Sequence, residues 1–81
     1  MSTTLRDIRE VVREEPVMRG RILDTLRAGA LTVPEIAAAI DAPTREVLIW
    51  IMGMRRYGWV AEIKGSDADG YFRHEPTGRV S

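Results

Sequence analysis

Residues 31–60 read LTVPEIAAAIDAPTREVLIWIMGMRRYGWV, and this stretch decides the fold. It predicts two helices joined by a tight turn and followed at once by a strand. Thr32 and Glu35 have the spacing of a capping box, in which each side chain binds the backbone N–H of the other residue, so a helix is expected to begin at Thr32. Pro43 suits the first turn of a second helix, and Gly58 is suited to end it.

Apolar residues recur with helical spacing on both predicted helices. Ile36 and Ile40 lie four residues apart on the first one. On a helical wheel of the second, one side is expected to face the core: Val47, Trp50, Ile51 and Met54. The opposite side carries a second line, which we expect to face outward: Arg45, Ile49, Met52 and Arg56, with Leu48 at its border.

Residues 1–15 predict a short N-terminal amphipathic helix. Thr4 and Asp7 have the spacing of a weaker capping box at its start. Its apolar stripe is expected at Leu5, Ile8 and Val12, with Val11 beside it. So short a helix is marginal in isolation and must pack on something. The surface it packs on is either the core of this domain or a partner, including a second copy of the chain.

A further helix is predicted over Val17–Arg27, following Pro16. Its core-facing stripe is expected to be Met18, Ile22 and Leu26, with Leu23 adjacent. Gly29 can take the left-handed conformation that ends a helix. Ala30–Leu31 then forms a short link into the capping box.

Beyond Gly58 the pattern predicts a β-hairpin. Trp59–Lys64 alternates between two faces, as a strand does. Tyr71–Glu75 is expected to be the returning strand, since its aromatic residues favour β structure. The tip between the strands is Gly65–Gly70.

This order of elements resembles the winged helix-turn-helix superfamily over Met18–Glu75. The resemblance implies an α+β, mostly α fold, with a three-helix helix-turn-helix core, an N-terminal helix and a C-terminal two-stranded β-hairpin wing. It divides the chain into the N-terminal helix of residues 1–15 and a winged-helix domain of residues 16–81. It also implies that Ala30–Leu31 lies where many members carry a brief first strand. The superfamily includes both DNA-binding and protein-binding members.

Composition narrows the function. The length of 81 residues suits a single domain. The 12 Lys and Arg residues are balanced by 12 Asp and Glu residues, whereas a DNA-binding domain usually has a basic stripe on its surface. The absence of cysteine excludes disulfides and thiolate metal sites. No apolar run approaches the roughly 20 residues that span a bilayer, and the first residues lack a signal-peptide pattern. A soluble, cytoplasmic protein is expected.

The outer face of the second helix bears on the choice of partner. In DNA-binding winged helices, the corresponding face enters the major groove and carries side chains that hydrogen-bond to base edges. Ile49 and Met52 offer no such bond, and two carboxylates at the predicted wing tip, Asp67 and Asp69, would repel phosphate. We therefore predict a partner-binding surface on the helix, Arg45, Leu48, Ile49, Met52 and Arg56, flanked by the wing residues Lys64, Asp67, Asp69 and Arg73.

Two functions of different class remain at this stage. The first is an accessory or regulatory subunit that docks this apolar face onto a larger protein or complex. The alternative is a DNA-binding transcriptional regulator, with Arg45 and Arg56 on phosphates and a homodimer formed through the N-terminal helix. In a third interpretation the helix is shifted in register, so that Ile49 and Met52 are simply core residues.

Catalysis, metals and cofactors are not expected. His74 is the single histidine, predicted as a surface or half-buried strand residue, and a zinc site needs further His or Cys ligands. The acidic turn around Asp67 lacks the other acidic positions of a calcium loop. No nucleophile with a matched base is evident, so the chain is not expected to be an enzyme.

Overall fold

The computed structural model describes residues 6–66 and 70–79. Over these ranges the chain is α+β and mostly helical, with four helices and a three-stranded antiparallel sheet. In chain order the elements are α1 (Ile8–Arg13), α2 (Glu15–Leu26), β1 (Leu31–Thr32), α3 (Val33–Ile40), α4 (Thr44–Arg56), β2 (Val60–Ser66) and β3 (Phe72–Pro76). Among these helices, none combines the length and the apolar character that crossing a membrane requires.

The capping box at the start of α3 is confirmed. The Thr32 backbone nitrogen donates to Glu35 Oε1 at 2.8 Å, and the Glu35 nitrogen donates to Thr32 Oγ1 at 3.4 Å. These bonds satisfy backbone donors that the first turn of a helix leaves without a partner. At the other end Asp41 takes the left-handed conformation, with φ of 56°, and turns the chain toward α4.

Helix α4 begins one residue later than the sequence suggested. Pro43 is the residue before the helix, with extended backbone angles, and Thr44 is the first helical residue. At the far end Gly58 has φ of +80°, so it makes the left-handed turn predicted for it. The chain therefore passes from α4 into β2 through a short turn.

The core contains every residue that was predicted to face it from α3 and α4. Helices α2, α3 and α4 all contribute fully or nearly fully buried side chains: Ile22, Leu26, Ile36, Ile40, Val47, Trp50, Ile51 and Met54. Met18 and Leu23 of α2 are partly buried against this cluster. The register of α4 is thus the expected one, with its opposite side left for the surface.

The described part of the apolar stripe predicted for the N-terminal helix, Ile8 and Val12, does not face the core of the domain. Val11 is fully buried, whereas Ile8 and Val12 are each 53% exposed. Neighbouring residues on a helix differ by about 100° in direction, so Val11 and Val12 cannot both point into the core. Packing of α1 on α4 selects Val11.

The start of α1 also differs from the prediction. Asp7 is the cap residue, and its carboxylate accepts a hydrogen bond from the Arg9 backbone nitrogen at 2.9 Å. A hydrogen bond from the Arg9 side chain, together with this backbone bond, holds the pKa of the Asp7 carboxyl below its usual value. Thr4 and Leu5, which were expected to begin the helix, lie outside the described residues.

The sheet has the order β1-β3-β2, so the predicted two-stranded hairpin gains a third strand. Leu31 of β1 pairs with His74 of β3, on the edge opposite β2. The register of β2 and β3 shifts between Ile63 and Ser66, and Gly65 has φ of +92° within this irregularity. The link before α3 therefore extends the sheet and joins it to the helical core.

His74 was predicted at the surface or half-buried, and this was wrong. Only 4% of the residue is exposed. Its strand β3 is the centre of the sheet, and both α2 and α3 pack against it. His74 is the buried residue of this strand, whereas Arg73 and Glu75 on either side of it are exposed.

Candidate functional site

The outward side of α4 lies at the protein surface. Met52 is 57% exposed and Leu48 is 47% exposed, and Arg45 and Arg56 are exposed as well. Ile49 differs from this group because it is partly buried and packs against the edge of the core. The interpretation in which Met52 is a core residue is therefore wrong.

A groove of about 630 Å³ runs beside this face, and we call it the α4 groove. Four parts of the chain contribute to it: α1, the first half of α2, α4 and the segments flanking the hairpin. Its lining residues are Ile8, Val12, Glu15, Pro16, Arg19, Ile49, Trp50, Met52, Gly53, Arg56, Tyr57, Trp59 and Arg79. Most of these are apolar or aromatic, and the charged members of the lining are Glu15, Arg19, Arg56 and Arg79.

The wall formed by α1 is held in place by a hydrogen bond and an ion-pair cluster. Trp50 Nε1 donates to the carbonyl oxygen of Val11 at 2.6 Å. Arg6 Nη1 lies 2.6 Å from Glu14 Oε2, and Arg6 Nε donates to Glu46 Oε2 at 3.0 Å. Arg6 therefore joins the end of α1 to the first turn of α4. With α1 fixed in this way, its two exposed apolar side chains line the groove.

The same cluster shifts the ionisation of its members. Hydrogen bonds to Glu14 and then to Glu46 raise the pKa of the Arg6 guanidinium, which stays charged. In turn, the hydrogen bond from Arg6 lowers the pKa of Glu14. Glu46 is buried, so the cation beside it compensates for the loss of water around its carboxylate.

One end of the groove is built around an aromatic ring that contacts two arginines. The guanidinium carbons of Arg19 and Arg79 lie 4.3 and 4.7 Å from the Trp59 ring centroid. Both distances are within the range of cation–π attraction. Arg19 also pairs with Glu15, at 3.2 Å. Sequence reasoning missed these groups, because Arg19 and Arg79 are 60 positions apart and no local pattern joins them.

Gly53 is one of the residues that line the groove. It lies inside α4, where glycine costs up to about 1 kcal/mol relative to alanine. A Cβ atom at this position would meet Glu15 Oε1 at 3.6 Å, an ordinary contact distance. No steric contact among the described residues therefore requires glycine at this position.

The structure divides the predicted site residues into two sets. Ile49, Met52 and Arg56 come together in the α4 groove. The remaining described members lie outside it and are exposed or largely so: Arg45, Leu48, Lys64 and Arg73. Asp67 and Asp69 lie outside the described residues. Three of the five residues of the predicted helix face thus line a concave site.

The basic residues of this second set are not neutralised within the fold. In the described part of the chain, Arg45, Lys64 and Arg73 make no ion pair, and neither does Arg56. Arg55, by contrast, pairs with Glu62 of β2 at 2.6 Å. With no ion pair among the described residues, these cations on α4 and on the hairpin can meet an anionic partner.

His74 does not belong to either set. Both of its ring nitrogens are buried without a hydrogen-bond partner among the described residues. Burial lowers the pKa of this imidazole, so it is neutral at neutral pH. Within residues 6–66 and 70–79 no group of three or more His, Cys, Asp or Glu side chains is placed to hold a metal ion.

Comparison with known protein families and with characterised proteins gives no match to this chain. Its function is therefore inferred from its own residues and geometry.

Proposed function

We propose that this chain is a winged-helix protein that binds a larger protein partner in the α4 groove and acts as an accessory or regulatory subunit. In this proposal α2, α3 and α4 are the helix-turn-helix core, α4 is the recognition helix and the β2–β3 hairpin is the wing. The order of the elements, the capping box before α3 and the short strand that joins the sheet all support the assignment.

The observation that carries the proposal is the set of exposed apolar side chains around one groove. Ile8, Val12 and Met52 are each more than half exposed, and all three line it. Full burial of such a side chain is worth roughly 1.5–3 kcal/mol, so leaving several together in water is unfavourable unless a partner covers them. Contiguous apolar patches with polar rims are characteristic of protein interfaces.

The identity of the groove residues favours protein over nucleic acid. Ile49 and Met52, at the middle of α4, cannot hydrogen-bond to a base edge. Met52 has a flexible thioether side chain that adapts to different partner surfaces. Arginine at the rim is enriched in protein interfaces, where it pairs with carboxylates and packs on aromatic rings.

The test compares two matched variants of α4. Met52→Gln changes an exposed apolar residue inside the groove, and Leu48→Gln changes one outside it. Each variant would be immobilised and used to capture proteins from nuclease-treated lysate of the source cells. We expect one defined protein to be retained by the unmodified chain and by Leu48→Gln, and to be lost with Met52→Gln. Circular dichroism would check that both variants are folded.

Two results would contradict the proposal. One is equal retention by both variants, which would show that the groove is not the contact. The other is loss of all specific capture once nucleic acid is digested, which would mean that retention depended on DNA or RNA.

A second candidate is DNA binding, favoured by the exposed cations that have no ion pair in the described part of the chain. Arg45 and Arg56 stand near the two ends of α4, and Lys64 and Arg73 stand on the hairpin. Such side chains can hold phosphates on either side of a recognition helix. This function predicts a sequence-preferring gel shift that weakens steeply with salt.

The two functions depend on different residues and can be separated. Arg45→Ala removes a phosphate contact without touching the groove, whereas Met52→Gln alters the groove without changing charge. Loss of activity only with Arg45→Ala would favour DNA. Loss only with Met52→Gln would favour the protein partner.

A further inference from the structure

We infer that the α4 groove receives an acidic amphipathic helix, with apolar residues on one face and Asp or Glu along its flanks. This inference deepens the proposed docking function and rests on it.

The charge of the groove points to an acidic occupant. Its lining includes three arginines, Arg19, Arg56 and Arg79, against one carboxylate, Glu15. Glu15 is already paired with Arg19, which leaves Arg56 and Arg79 without an acidic partner among the described residues. The whole chain has a formal net charge of zero, so this excess is local to the groove. Opposite charge on a partner both speeds association and excludes wrong partners.

The architecture of the groove favours a helix over an extended strand. Its lining consists mostly of side chains from α1, α2 and α4, so it offers no free strand edge for backbone pairing. The sheet edges, β1 and β2, are where an added strand would pair. A helix satisfies its own backbone groups and needs only an apolar surface to lie on. Apolar residues at positions i, i+3 or i+4 and i+7 would then cover Ile8, Val12 and Met52.

The arginines are placed to bind carboxylates beside that helix. The Arg79 guanidinium lies over the Trp59 ring, and an arginine stacked on an aromatic ring can still donate hydrogen bonds from the edge of its guanidinium. Arg56 is exposed at the end of α4 and borders the same groove. A guanidinium can bind a carboxylate through two parallel hydrogen bonds, so these two residues can select for Asp or Glu.

Nuclear magnetic resonance titration of the full chain tests this inference. The probes are three synthetic peptides of about 16 residues, near the length at which isolated helices begin to form. All three carry the same leucine stripe, and their flanking positions are all Glu, all Gln or all Lys. The readouts are the backbone amides of Met52 and Gly53 and the indole N–H of Trp59, all in groove residues.

The expected result is that the Glu peptide shifts these resonances with the highest affinity. Two exposed ion pairs should make it roughly fivefold to tenfold tighter than the Gln peptide at low salt. At about 1 M salt, where the screening length is about 3 Å, the difference should nearly vanish. The double variant Arg56→Gln with Arg79→Gln should lose the preference for Glu, whereas Arg45→Gln, an exposed cation outside the groove, should keep it.

Several results would overturn the inference. If the Gln or Lys peptide binds the groove as tightly as the Glu peptide, the acidic occupant is wrong while docking in the groove still stands. If no peptide shifts the groove resonances at about 1 mM, a concentration that detects weak binding, the helical acidic occupant is also wrong. The capture experiment with Met52→Gln then decides the docking function separately. Concentration-dependent shifts of the same resonances without peptide would assign the groove to a second copy of the chain.

Discussion

The indole nitrogen of Trp50 donates a hydrogen bond to the backbone carbonyl of Val11, 2.6 Å away and 39 positions earlier in the chain. Both residues are buried, and the bond fixes α1 against α4. Together with the Arg6 cluster, it sets the rotation of α1 that turns Ile8 and Val12 toward the α4 groove. One wall of the candidate site therefore depends on a side chain in the core.

Replacing Trp50 with Phe should test this dependence. The variant keeps an aromatic ring but removes the donor, while the Val11 carbonyl retains its bond from the Glu14 backbone nitrogen. We expect the free energy of unfolding in urea to fall by about 1–2 kcal/mol, through the lost bond and the smaller ring. Amide exchange in α1 should accelerate more than exchange in α3. Equal acceleration in both helices would argue against a local role in holding α1.

The Arg6 cluster should make stability depend on acid pH. Hydrogen bonding to Arg6 places the pKa of Glu14 below its unfolded value, so the pair stabilises the fold above that unfolded value and the stabilisation is lost as pH falls through the lowered pKa. Arg6→Gln should lower stability at about pH 7 and flatten its decline between about pH 5 and pH 3, near carboxyl pKa values. Urea titrations across this range would measure both. Among the described residues, Arg6 is also the only cation that contacts the buried carboxylate of Glu46. Its removal therefore adds to the loss of stability at neutral pH.

The comparison variant for this experiment is Arg9→Gln. Arg9 forms an exposed pair with Asp7 in the same region but does not reach α4. Its removal should have little effect on stability at neutral pH. If Arg9→Gln and Arg6→Gln behave alike, the contact with Glu46 is not what matters.

His74 should also contribute a pH dependence of known sign. Burial lowers the pKa of its imidazole, with a smaller opposing effect of Glu62 and a weak effect of Arg55 in the same direction as burial. The unfolded chain therefore binds a proton at higher pH than the folded one, and stability should decline as pH falls below the unfolded value of about 6.5. Because the chain has one histidine, its NMR titration is unambiguous.

Replacing His74 with Leu should remove this decline and stabilise the fold. Both ring nitrogens are buried without hydrogen-bond partners in the described part of the chain, so an apolar side chain of similar volume loses no bond. We expect a gain of about 1 kcal/mol at neutral pH in urea denaturation. A large loss would mean that the imidazole has a polar contact that Leu cannot replace.

Two helix glycines offer a matched pair of substitutions. Among the described residues, a Cβ at Gly20 meets nothing within 4 Å, and a Cβ at Gly53 meets only Glu15 Oε1, at 3.6 Å. Each Ala variant should raise the free energy of unfolding by about 0.5–1 kcal/mol, since glycine is the poorer helix former. Only Gly53→Ala should weaken partner or peptide binding, because Gly20 is outside the groove. Equal binding by both variants would show that the bound partner or peptide does not contact Gly53.

Short-range signals predicted much of the fold. The Thr32–Glu35 capping box and the core positions of α4 depend on contacts within one or two helical turns, and the structure has both. The α+β class follows from the change of pattern at Gly58. The outward position of Met52 could also be predicted, because the helical period fixes the direction of its side chain relative to those of Val47 and Trp50 on the same helix.

The α4 groove depends on long-range packing that local patterns do not encode. Its lining runs from Ile8 to Arg79, and its stacked end combines Trp59 with arginines from α2 and from the chain after β3. On α1, helical periodicity allowed either Val11 or Val12 to face the core. The packing of α1 against Trp50 places Val11 there. Thus the sequence by itself determined the helices, the two strands of the hairpin and the apolar outer face of α4. The tertiary structure decided which residues of that face line a groove together with arginines, because residues that are distant in the sequence form one surface only when the helices and the hairpin pack together.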